Sequence, residues 1–401
     1  VDTDTNKIKI SDGATAGGVD LVGVGGGGGA TTWAGITDIN NAAGPDTISV
    51  GRNAGLTGQG TESVAIGDEA GKTTQGNNAT AVGNNAGETA QGVSSVAVGD
   101  VAGALNQSTF AVAIGASAGQ NDQGTKSVAI GIDSGLTTQG VSAIAIGASA
   151  GQTNQAEKAI AIGLDSGLTT QGASAIAIGD ETGQTNHAAK AIAIGRDAGS
   201  TGQGTLTIAI GDQAGQTNQV AQAVAIGNQA GGTDQALQAV AIGQQAGQTT
   251  QETLAIAIGT YAGRITQGTK SVAIGNLAGN DTQSANSVAI GEQAGVTTQS
   301  QHSVAIGALA GQTTQGESSV AIGKQAGKVN QGSSAVAIGN LAGVNNQHNN
   351  SIVIAASGSA LETAQAGQFL VKPVRNVAGA LPAGFSQVAY NPTTGEFIYY
   401  G

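Results

Sequence analysis

Between residue 47 and about residue 360 the hydrophobic positions return every sixteen residues, always in the same form. Two β-branched residues flank an alanine and a glycine follows, as in Ser63-Val64-Ala65-Ile66-Gly67 and again in Thr207-Ile208-Ala209-Ile210-Gly211. With the sixteen positions numbered from Ser63, position 4 is valine or isoleucine from Val50 to Ile354. Position 2 is the same except at Thr80, and position 3 is nearly always alanine. Position 5 is glycine from Gly51 to Gly339 and position 9 is glycine from Gly55 to Gly343; Ala355 and Ser359 end these columns. Position 13 is glutamine from Gln59 to Gln347, with His187 the single substitute. Position 11 is most often threonine, and positions 6, 7, 10 and 14 to 16 vary among polar and small residues.

Val-Ala-Ile predicts a short β-strand with both β-branched side chains on one face and alanine on the other. A strand apolar on both faces is a strand covered on both, as in parallel sheets. The paired glycines predict tight corners that need positive φ or a close backbone approach. Sixteen residues are too few for a βαβ unit, so the second half of each copy, residues 72–77 in this one, predicts another short strand and a turn. Such coils stack at about 4.8 Å, giving a rod of roughly 90–100 Å for twenty of them. The expected fold class is therefore all-β: a parallel β-solenoid of about twenty sixteen-residue coils. A helix is excluded, because each glycine in its interior costs about 1 kcal/mol and no apolar stripe of helical period is present.

The repeat divides the chain into an N-terminal region (1–46), a solenoid shaft (47–360) and a C-terminal region (361–401). Its structural columns are represented by Val64, Ile66, Gly67, Gly71 and Gln75 in one copy and by Ile210, Gly211, Gly215 and Gln219 in another. The glutamine column reads as a ladder of stacked amides along the axis rather than a ligand site. The threonine column raises ice binding as a minor alternative. It is interrupted at Leu105, Asn121, Ile265, Asp281, Val329 and Asn345, and no second threonine column accompanies it.

Composition sharpens this reading. With 68 glycines, 2% aromatic and 10% charged residues, the chain lacks the large side chains of an ordinary core, yet 39% of it is hydrophobic and regularly placed. The net charge of −12 disfavours nucleic acid and anionic membranes as partners. Without cysteine there are neither disulfides nor thiolate metal sites. No apolar run reaches the length of a membrane span and no secretory signal opens the chain. Methionine is absent, residue 1 included, so the chain is expected to begin after processing or within a longer gene product. His187, His302 and His348 fall in different columns, and the acidic residues occupy variable, solvated positions. No phosphate loop, nucleophile motif or calcium-type repeat is present, and GVGGGGG lacks a strand–helix context. Neither enzymatic activity nor a cofactor or metal is expected.

A coil this thin encloses little volume, and one face of its Val-Ala-Ile strand is left as an apolar strip along the rod. A cyclic homotrimer about the rod axis covers that strip.

The SVAIG wording resembles the head repeats of trimeric autotransporter adhesins, which implies a trimeric left-handed parallel β-roll. The period here is longer than in those heads, and the AG-x-T-x-Q half departs from them. AGQTNQ and AGLTTQG look more like solenoid repeats of large DNA viruses and phages. The opening VDTDTNKIKISDGAT resembles segments near the front of phage tail-fibre proteins, implying a virion attachment region. It is followed by the linker Gly25–Gly29 and by Trp33. Near the other end, FLVKPVRN predicts a further strand, and QVAY and EFIYY predict a hairpin closed by Asn391-Pro392-Thr393-Thr394-Gly395. Similar endings occur in viral fibre-like proteins, sometimes ahead of a self-cleaving chaperone, and removal of such a chaperone is expected. Phe385, Tyr390, Phe397, Tyr399 and Tyr400 form either a receptor- or glycan-binding tip or, the favoured reading, a cap over the last sheet edge. The chain is thus expected to be a fibre shaft on a virion surface. The alternative is a cellular surface adhesin or extracellular filament subunit; an autotransporter would need a coiled-coil stalk and a membrane barrel besides.

Overall fold

The computed structural model describes residues 47–374, together with the short strands Lys9–Ile10 and Val19–Asp20 and the strands Gln387–Asn391 and Glu396–Tyr400. Among these residues there is no helix. The expected solenoid is present as two parallel ladders. In the first, 21 strands run from Ile48–Val50 to Phe369–Lys372. Each pairs with the equivalent strand of the next coil, as Ile208, Ala209 and Ile210 do with Val224, Ala225 and Ile226. The second ladder is built from Thr-x-Gln strands such as Thr217–Gln219 and is reduced to single bridges at Leu105 and Gln299. In its regular coils only the outer residues pair, Thr217 with Thr233 and Gln219 with Gln235. The residue between them, Asn218 here, sits at φ 54, which turns it out of the ladder.

The interior of the coil is filled by alanine and glutamine. Ala209 and Ala214, at positions 3 and 8, are fully buried, as are their counterparts Ala225 and Ala230. Val64, Ile66 and Ile210 therefore face outward and are only partly covered. Strand alternation requires one face to be inside, and a coil of two three-residue strands is too narrow to hold a β-branched pair. The apolar strip expected along the rod is the Val/Ile face.

The two invariant glycines answer to different constraints. At Gly211 φ is 131, and a Cβ would lie 2.6 Å from the carbonyl oxygen of Gly227 on the next coil. Gly67 is placed the same way against Gly83. Gly215, at φ 51, has a conformation that other residues can adopt, but a Cβ there would lie 2.7 Å from Gln219 Oε1. Gly71 likewise makes room for Gln75. The position 9 glycine exists because the position 13 glutamine fills the coil.

At the C-terminal end the vocabulary of the core changes. Val353 takes the place of the position 3 alanine, and Leu361 and Leu370 pack against the alanine core. The strand expected in FLVKPVRN is the last rung, Phe369–Lys372, parallel to Ile352–Ala355, so the shaft ladder continues past residue 360. Larger side chains close the end of a core that alanine fills elsewhere. The expected hairpin is present as an antiparallel pair with Tyr390 opposite Phe397 and Val388 opposite Tyr399. Lys9–Ile10 pairs antiparallel with Val19–Asp20, which the sequence did not predict. Phe385, Trp33 and Gly25–Gly29 lie outside the described residues.

Candidate interaction surface

The glutamine column is interior and structural. Gln75 donates from Nε2 to the Val64 carbonyl across the coil at 2.8 Å. Gln219 donates to the carbonyls of Ile208 at 3.0 Å and Ala223 at 3.3 Å, and to Gln235 Oε1 at 2.9 Å. These amides tie the two walls of their own coil together and hold the next coil, whereas Gln59 and Gln91 donate within their own coil. The amide-to-amide bonds form three unbroken runs, Gln107 to Gln171, Gln203 to Gln283 and Gln299 to Gln347. Position 13 stays below a tenth exposed throughout, so it offers no surface to a ligand.

His187 interrupts the first two runs. Its ring is fully buried, neither nitrogen makes a well-formed hydrogen bond, and Gln203 Oε1 beyond it is left without a donor. Burial lowers its pKa to about 4; the Ala191 carbonyl beside the ring acts weakly the other way. That contact does not meet hydrogen-bond geometry, and the ring is neutral and unpaired at pH 7.

Outside, Val/Ile pairs form a stripe the length of the rod, with position 4 about a third exposed, as at Ile226 (37%) and Ile338 (39%). Two corner columns flank it. Position 7 (Asp133, Gln229) lies just after the strand, and position 16 (Lys126, Gln222) just before it. Both hold non-glycine residues in the left-handed region, at φ 54 for Asp133 and 59 for Lys126. The physical reason is coil stacking: this conformation aims the position 7 N–H at the previous coil, as from Gln229 to the Asp212 carbonyl at 2.8 Å. Sequence reasoning treated these columns as freely variable and missed them; the signal was the matching chemistry of the two ends of one rung.

Ion pairs also run along the axis. Arg196 makes two bonds to Asp212 on the next coil at 2.9 and 3.0 Å, and Lys72 bridges Glu69 and Glu88. No group of three potential metal-ligating side chains is assembled among the described residues. No helix of these residues is long and apolar enough to cross a membrane. An open depression lies beside Asn106, Gln107 and Thr109, where the second ladder thins to bridges.

No family model, curated protein or solved structure matches this chain.

Proposed function

We propose that this chain is a structural shaft, assembling as a homotrimer in a fibre or spike displayed on a virion. One observation carries the reading: a long stack of coils filled almost throughout by alanine and glutamine, with a Val/Ile stripe along the outside that only Thr80 interrupts. A rod of this construction has length and stiffness, and its exposed stripe calls for a covering partner. The resemblance of residues 1–15 to tail-fibre segments supports attachment to the virion through the N-terminal region. The C-terminal end, with its hairpin of Tyr390, Phe397, Tyr399 and Tyr400, is where a host-surface receptor or glycan would be met. The second face does not favour ice binding, since its ladder thins to single bridges at Leu105 and Gln299 and its position 12 residues turn outward. Light scattering with electron microscopy tests the shaft reading. The expected result is a rod of about 100 Å with three times the 38.5 kDa chain mass. A folded monomer at micromolar concentration would overturn it.

A further inference from the structure

We propose that the copies of this chain stand parallel and in register with their Val/Ile faces together, held so by Lys126, Lys158 and Lys190 of one copy against Asp133, Asp165 and Asp197 of the next. The inference deepens the shaft reading and rests on it.

The occupant of the stripe follows from its size and its edges. Twenty rungs at about 4.8 Å, each roughly 10 Å wide, present on the order of 950 Å² per chain, comparable to one side of a standard protein interface. Along the edges, the first three lysines of the position 16 column each share a rung with an aspartate of position 7, whereas Glu62 shares its rung with Glu69 and Lys270 with Leu277. Lys126 and Asp133 flank Val128–Ile130, Lys158 and Asp165 flank Ile160–Ile162, and Lys190 and Asp197 flank Ile192–Ile194. These are the only aspartates of the position 7 column. Farther on, Gln222 shares a rung with Gln229, and Gln238 with Gln245.

Nothing within one chain uses the lysine–aspartate match. Among the described residues Lys126 and Lys190 make no ion pair, and Lys158 meets only its exposed neighbour Glu157. Among the described residues none of the three aspartates makes an ion pair, although Asp197 feels the charge of its neighbour Arg196. In the acidic column, Glu181 has its carboxyl pushed up by the charge of Asp197, then by desolvation and by the hydrogen bond to Asp197. A neighbouring lysine column would offset that repulsion.

Symmetry then selects the arrangement. In any cyclic parallel assembly with the stripe inward, the position 16 edge of one copy meets the position 7 edge of the next, so lysine meets aspartate and amide meets amide. In an antiparallel pair each edge meets its own kind, setting lysine against lysine. Register follows in the same way. A one-coil stagger sets Lys126 against Ser117 or Ser149, whereas zero stagger gives each of the three lysines an aspartate. Exposed pairs of this sort add little affinity singly, and their effect falls on orientation and register.

The native chain has no cysteine, so site-specific cross-linking tests this directly. Full-length Lys126→Cys and Asp133→Cys chains are refolded together and treated with a short bis-maleimide, with light scattering on the same samples. A covalent dimer from the mixture, and none from either variant alone, is the expected result. Cross-linking within a single-variant sample would mean that like edges meet and would overturn the parallel arrangement. Cross-linking of Lys126→Cys to Ser149→Cys in place of Asp133→Cys would overturn the register. A multimer that cross-links in no combination sinks this inference and leaves the shaft standing, whereas a 38.5 kDa monomer sinks both.

Discussion

His187 places a titratable ring where every other coil has an amide, and its burial has a direction in pH. The unfolded imidazole takes up a proton near pH 6.5, whereas the folded one does so only near pH 4. Between those values the unfolded state binds more protons, so stability falls as pH drops from about 6.5 to about 4 and changes no further from this group below that. The loss is about 3 kcal/mol at most. His187→Gln restores the donor that Gln203 Oε1 lacks and removes the titration. Denaturant midpoints of the two proteins should differ more at pH 4.5 than at pH 7.5, with the variant the more stable. Parallel profiles would show that the ring is not held neutral. A second residue-scale outcome concerns Gly215. Gly215→Ala forces a methyl against Gln219 Oε1, which accepts from Gln203 on the preceding coil while Nε2 of the same amide is fixed to the Ile208 carbonyl, and should cost about 1–3 kcal/mol. Tolerance of alanine there would mean that the glycine serves the corner alone.

At the scale of the element the unit is the coil of sixteen residues, and it touches only its neighbours. Residues 131–163 nearly duplicate 163–195, as expected of an array in which coils can be copied. Deleting residues 132–163 removes two whole coils and rejoins matching columns. The product should be a soluble rod about 10 Å shorter with a near-unchanged melting temperature. Deleting residues 132–139 removes half a coil, so that glycine corners fall against strand positions of the neighbouring coils and the ladders lose their register. That chain should misfold. Equal tolerance of both deletions, judged by circular dichroism and electron micrographs, would show that the coil is the wrong unit.

At the scale of the whole molecule the Val/Ile stripe is the surface on which the proposed assembly depends. Ile210 is half-covered in the single chain and would be enclosed in the assembly. Ile210→Asp should therefore act on association: a carboxylate covered without a partner costs several kcal/mol. Asp212→Ala loses only exposed contacts, from Arg196 and from Asn228 Nδ2, and should stay within about 1 kcal/mol of the parent. Sedimentation of the two variants at matched concentration separates the cases, with Ile210→Asp shifted toward monomer. Equal sedimentation would mean that the stripe stays open to solvent.

The period, the two strands per coil and the glycine corners were legible in the sequence, because each depends on local backbone geometry repeated at a fixed spacing, whereas the ladder runs on past residue 360 to Phe369–Lys372. Val64, Ala65, Ile66 and Gly67 announce a strand and a corner wherever they occur, and the FLVK rung and the QVAY–EFIYY hairpin were legible for the same reason. Which face of that strand is inside was decided by the tertiary structure alone. Alternation leaves both choices open, and only closure of the narrow coil around Gln75 or Gln219 shows that alanine fits within and Val/Ile does not. The purpose of Gly71 and Gly215 was hidden too, since the contact that demands them comes from a side chain four residues later folding back into the coil. The columns at positions 7 and 16 looked variable in a linear reading. Their meaning appears once the fold sets Lys126 and Asp133 at the two ends of one rung, where the chemistry of one edge can be compared with that of the other.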